Sequence, residues 1–76
     1  MASYLPQLSG KEFGKALLQL GFQLKSRKGS HMKFARSVGG GEEIIIVPDH
    51  RTLRKGTLFS ILKQLRLSAE ELRNLI

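Results

Sequence analysis

The chain has 76 residues, enough for one small domain that buries about 60–65% of the surface its unfolded form exposes. Thirteen Lys and Arg against six Asp and Glu give a net charge of +7, which points to a polyanionic partner. With no Cys, disulfides and thiolate metal sites are excluded; two His with few acids argue against a metal site, and the longest apolar run, Ile44 to Val47, is too short to span a membrane.

Met1 to Gln7 read as a lead-in. No charged segment followed by an apolar stretch opens the chain, so a cytoplasmic location is expected. Ser9 and Glu12 then form the pattern of a capping box, with Leu8 and Phe13 as its hydrophobic staple. Phe13, Ala16, Leu17 and Leu20 recur at the spacing of one helical face. Gly14 costs that helix roughly 1 kcal/mol relative to Ala, and Gly21 supplies the stop.

Two short strands follow, Phe22 to Arg27 and His31 to Ala35, each alternating with period two. Lys28-Gly29-Ser30 joins them as a hairpin. A three-residue loop or a bulge pairs Leu24 with Phe34 and Ser26 with Met32, which keeps the apolar side chains together. That register puts Lys25 opposite Lys33 and Arg27 opposite His31 on the face away from the helices. Ser37 to Gly41 read as a flexible turn, and Glu42 to Val47 as a third strand ended by Pro48.

Leu58, Ile61, Leu62 and Leu65 define a second helical face that starts between Thr52 and Thr57. Ser68 and Glu71 repeat the capping-box pattern before a short last helix, with Leu67 and Leu72 as its staple. The expected fold is a single α+β domain over residues 1–76, in the order helix, three-stranded antiparallel sheet, helix, short helix. Its expected core contains Phe13, Leu17, Leu20, Phe22, Leu24, Phe34, Ile61, Leu62 and Leu65.

Chemistry concentrates between Lys25 and Lys33, where Lys25, Arg27, Lys28 and Lys33 surround His31. Like charges facing one another across strands are unfavourable unless an anion lies between them. Nearby cations disfavour a protonated imidazole. A neutral imidazole beside phosphate-binding cations suits a general base acting on a ribose 2′-hydroxyl. His50, after the third strand in Val47-Pro48-Asp49-His50, is a candidate auxiliary group. Arg51, Arg54 and Lys55 precede the second helical face, where free N–H groups and cations suit a phosphate; Thr57 as an ordinary cap is the other reading. No nucleotide-binding glycine loop is present, and Tyr4 is the only Tyr, with no Trp, which argues against a stacking platform for bases.

From about Ser9 to Leu67 the sequence resembles the HicA toxin family. The marks are Gly21-Phe22, then Arg27-Lys28-Gly29-Ser30-His31 with Phe34, then Val47-Pro48 with His50, then Lys55-Gly56-Thr57-Leu58 with Ile61-Leu62-Lys63-Gln64. The resemblance implies a fold similar to double-stranded-RNA-binding domains. It implies the toxin of a type II toxin–antitoxin system, a ribosome-independent mRNA endoribonuclease that inhibits translation and is bound and blocked by a HicB-like antitoxin. It places the catalytic residue at His31. Lys25, Arg27, Lys28, Ser30, Lys33 and Lys55 are then the expected RNA-binding residues, with no metal and no cofactor. Met32 stands where many relatives carry a polar residue or a second His, so substrate preference stays open. Two other readings remain: a non-catalytic RNA-binding module of the same fold, and a basic interaction protein whose partner is an acidic protein.

Overall fold

The computed structural model describes residues 5–76; of the lead-in, residues 1–4, including Tyr4, lie outside the described residues. Its elements are α1 (Gly10–Gln19), β1 (Gln23–Lys28), β2 (His31–Val38), β3 (Gly41–Pro48), α2 (Lys55–Leu65) and α3 (Ala69–Arg73). The strands form one antiparallel sheet in the order β1-β2-β3. This is the α-β-β-β-α arrangement with a short extra helix that the patterning predicts.

Both capping boxes form. The Ser9 hydroxyl accepts from the Glu12 N–H, and the Glu12 carboxylate accepts from the Ser9 N–H. Ser68 and Glu71 do the same for α3. Such caps satisfy donors that the first helical turn leaves without partners. Leu8 and Phe13, the staple of α1, are both buried. Gly21 follows the last turn of α1 with φ 94°, a left-handed conformation that glycine adopts without steric penalty.

The core lies on one face of the sheet. Met32, Phe34, Ile45 and Val47 point from β2 and β3 toward Phe13 and Leu17 of α1, Leu58, Ile61 and Leu62 of α2, and Leu72 of α3. Leu20 and Leu65 pack against this cluster while partly buried. Leu24 departs from expectation. It pairs with Phe34 and so faces the helices, yet it is 50% exposed. All residues of β1 are exposed, and Leu24 borders an open cleft with Lys11, Gly14, Lys15 and Leu18 of α1 rather than the packed cluster.

Two features bring α1 close to the sheet. A Cβ at Gly14 would lie 2.8 Å from Cζ of Phe34, so the helix propensity that Gly14 forfeits is exchanged for close packing on that ring. Gly10 abuts the backbone at Pro48. The α1 start is tied to the loop after β3, because the Gly10 N–H donates to the His50 carbonyl at 2.9 Å and the Leu53 N–H donates to the Leu8 carbonyl at 2.7 Å.

The turn between β2 and β3 is tighter than the glycine-rich sequence suggests. Ser37 and Val38 belong to β2, Gly41 opens β3, and only Gly39 and Gly40 form the turn. Their φ angles of 47° and 85° are both positive, as a two-residue type I′ hairpin requires.

Candidate nucleic-acid interface

The hairpin between β1 and β2 sets the site. Its turn is Gly29-Ser30, closed by the pair Lys28 and His31. Gly29 has φ 59°, which suits the first central position of a type II′ turn. The register is irregular between Leu24 and Ser26, so that Lys25 is the extra residue of a β-bulge. The bulge preserves the expected pairing of Leu24 with Phe34. Beyond it the expected register is overturned: Ser26 pairs with Lys33, Arg27 with Met32, and Lys28 with His31.

Directly paired residues project to the same face of a sheet. His31, Lys28, Lys33 and Ser26 therefore share the face away from the helices. Lys28 stands directly opposite His31, with Cβ atoms about 4.5–5.5 Å apart as in any such pair. Lys33 lies two residues further along β2 on the same face. Lys25 is drawn toward the far end of this face, where its ammonium donates to the Gln23 side-chain oxygen at 3.1 Å. Ser30 sits in the turn, and its carbonyl accepts from the Asp49 N–H at 2.6 Å.

Arg27 does not join this group. Paired with Met32, it projects to the helix side, where its guanidinium forms an ion pair with the Asp49 carboxylate. The expected juxtaposition of Arg27 with His31 is thus replaced by that of Lys28 with His31. The Arg27 hydrogen bond, first, and then the positive charges of Arg27, Lys11 and His50 hold the Asp49 carboxyl below its ordinary range, against an opposing effect of desolvation. Asp49 joins the turn, β1 and the end of β3 through its N–H and its carboxylate. Its place in Val47-Pro48-Asp49-His50 was visible in the sequence, but its partner was not.

β3 completes the open face. Pro48 pairs with His31, Ile46 with Lys33, and Ile44 with Ala35. Ile46 and Ile44 are 48% and 41% exposed, so an apolar strip runs beside the cations. His31 itself is exposed. His50 is also exposed and lies beyond Pro48 at the same end of the sheet, its carbonyl held by Gly10.

Lys55 is not brought to this face. It opens α2 and lines a groove with Phe59, Leu62 and Lys63 on the helix side. The N-cap of α2 is Arg54, without a side-chain cap, and Thr57 lies inside the helix. Arg36, which the sequence did not single out, lies 4.5 Å over the Phe22 ring and bridges to Glu43 at 3.0 Å, locking the opposite end of the sheet. Among the described residues no group of three or more His, Asp or Glu is placed to hold a metal ion, and no helix is long and apolar enough to cross a membrane.

An exposed imidazole among lysines on an open sheet face defines a basic protein suited to a polyanion. The family model described as HicA toxin of bacterial toxin–antitoxin matches residues 10–67, and the chain belongs to that family. It is accordingly a toxin of a toxin–antitoxin module, with an antitoxin as its partner. No curated protein and no solved structure matches the chain.

Proposed function

We propose that this toxin is an mRNA endoribonuclease in which His31 is the general base. The observation that carries the reading is the pairing of His31 with Lys28 on an exposed sheet face that also presents Lys33. The two ammonium groups hold the phosphate, and the imidazole takes the proton of the adjacent ribose 2′-hydroxyl. The 2′-oxygen attacks phosphorus, and the 5′-oxygen leaves with a proton delivered by an acid. The products are a 2′,3′-cyclic phosphate and a 5′-hydroxyl. Lys28 and Lys33 also balance charge as it grows on the phosphoryl oxygens. The acid has two candidates: His50, beyond Pro48 at the same end of the sheet, and Lys28. Every step uses side chains, so cleavage is expected to continue in EDTA.

Substrate binding follows from the same face. Ser30 belongs to the turn beside His31 and offers a short polar side chain to the RNA backbone. Lys25 extends the cationic track away from His31. In the cell, cleavage of mRNA arrests translation, and a HicB-like antitoxin silences the enzyme.

His31→Ala tests the assignment. The residue is exposed, so stability changes by less than about 0.5 kcal/mol. Circular dichroism remains native, an uncleavable RNA still binds, and cleavage and toxicity are lost. A folded, RNA-binding variant that cuts at the wild-type rate would overturn the assignment of His31. RNA binding without cleavage by the wild-type protein itself would make it a non-catalytic RNA-binding module.

A further inference from the structure

The helix side of the molecule carries a second feature, unconnected with the His31 face. Phe59 of α2 is 63% exposed although most of its apolar neighbours on that helix are buried. It forms one wall of a groove of about 690 Å³ whose floor is made by Leu5, Leu62 and Leu67. Lys55 and Lys63 stand four residues before and after Phe59, so one row of α2 reads cation, aromatic, cation. Among the described residues no carboxylate lines the groove.

Phe59 does not stand alone: with Leu5, Leu62 and Leu67 it forms a continuous apolar patch in a concave surface, the kind of patch that marks an interaction site. Aromatic residues at the centre of a concave apolar patch are the usual anchors of protein interfaces, and flanking charges select the partner and its orientation. The lysines here select a negative partner. An RNA strand would satisfy the charges, but the Leu5, Leu62 and Leu67 floor offers nothing to the polar edges of bases. A peptide with an apolar side chain between two carboxylates satisfies both. Amphipathic segments dock in grooves of this kind through spaced apolar anchors.

We infer that the groove between α2 and α3 receives an acidic segment of the antitoxin, with an apolar side chain seated against Phe59 and carboxylates on Lys55 and Lys63. The antitoxin is thereby held by a face of the toxin other than the one that carries His31. The inference rests on family membership and the groove, not on the ribonuclease assignment.

The test is titration of the full-length chain with its purified cognate antitoxin. Phe59→Asp and Lys63→Glu are compared with wild type, each after confirmation of native circular dichroism. Removing an aromatic anchor that the complex would bury is expected to weaken the complex about tenfold or more. Lys63→Glu is expected to weaken it and to flatten its dependence on salt. Both variants keep wild-type affinity for uncleavable RNA, and in cells they stay toxic when the antitoxin is supplied. A milder substitution, Phe59→Ser, serves if the Asp variant fails to fold. Wild-type antitoxin affinity in folded Phe59 variants would overturn the inference. So would an equal loss of RNA affinity, which would make the groove a nucleic-acid site. A change confined to self-association would make it a contact between copies of the toxin. Loss of cleavage in His31→Ala bears on none of these outcomes.

Discussion

Gly10 and Pro48 are in such close contact that a Cβ on Gly10 would lie 2.0 Å from the Pro48 carbonyl oxygen. The contact joins the first turn of α1 to the residue paired with His31. Backbone meets backbone there, so neither side has a flexible chain end that could give way. Gly10→Ala is expected to destabilise the fold by at least about 1–3 kcal/mol through overpacking. A chemical denaturation curve measures this. A midpoint equal to that of the wild type would mean that α1 can move off β3 freely.

Leu62→Ala opens a cavity where α2 meets the sheet. Leu62 is buried, and the substitution is expected to cost about 2–5 kcal/mol. The stability of a domain this small is of the same order, so the variant should melt at a much lower temperature or fail to fold.

The Arg27–Asp49 pair gives the molecule an acid-sensitive joint. The guanidinium lowers the Asp49 carboxyl from its ordinary 3.8, so the folded protein releases that proton more readily than the unfolded chain. The resulting stabilisation is present above pH 3.8 and is lost as pH falls below it, through the lowered value. Asp49→Asn removes the carboxylate. The difference in melting temperature between wild type and variant is expected to close as the solution is acidified through this window, and to be constant at higher pH.

RNA binding should depend on salt through Lys28 and Lys33. Each phosphate contact to a single strand contributes about 0.7 to the slope of log affinity against log salt. Lys28→Gln with Lys33→Gln is therefore expected to flatten the slope by about 1.4 and to weaken binding across RNA sequences alike. Arg27→Gln is expected to alter it less, since that side chain is engaged by Asp49 on the other side of the sheet. Equal slopes for the wild type and the double variant would remove these lysines from the interface.

The helices and the capped starts of α1 and α3 were legible because their signals are local, whereas α2 begins at Lys55 behind Arg54, which carries no capping signal. Ser9 with Glu12 and Ser68 with Glu71 need only four residues each to declare a cap, and the structure forms both. The buried faces of α1 and α2 followed from spacing alone. The register of β1 was harder. A bulge adds one residue without disturbing the composition of a short polar strand, so Lys25 gives no periodic sign of itself. The bulge sends Arg27 to the helix side and brings Lys28 to His31. Leu24 shows the same limit in another form, since alternation reports which face a side chain takes but not whether anything covers it. His31, Lys28 and Lys33 were found as a cluster because they are close in sequence. Asp49 was named without its partner, because the ion pair spans the chain from β1 to the loop after β3.

The position of β1 has a consequence for how the protein behaves in a crowded solution. Its outer edge carries backbone groups that no strand among the described residues pairs, which is the kind of surface on which sheets of separate molecules join. Lys25, Arg27 and Lys28 line that edge, and the bulge at Lys25 twists it out of line. Charge and irregularity are common guards against such joining. The cations of this edge strand thus keep neighbouring molecules apart, and neutralising them trades colloidal stability for whatever is gained elsewhere.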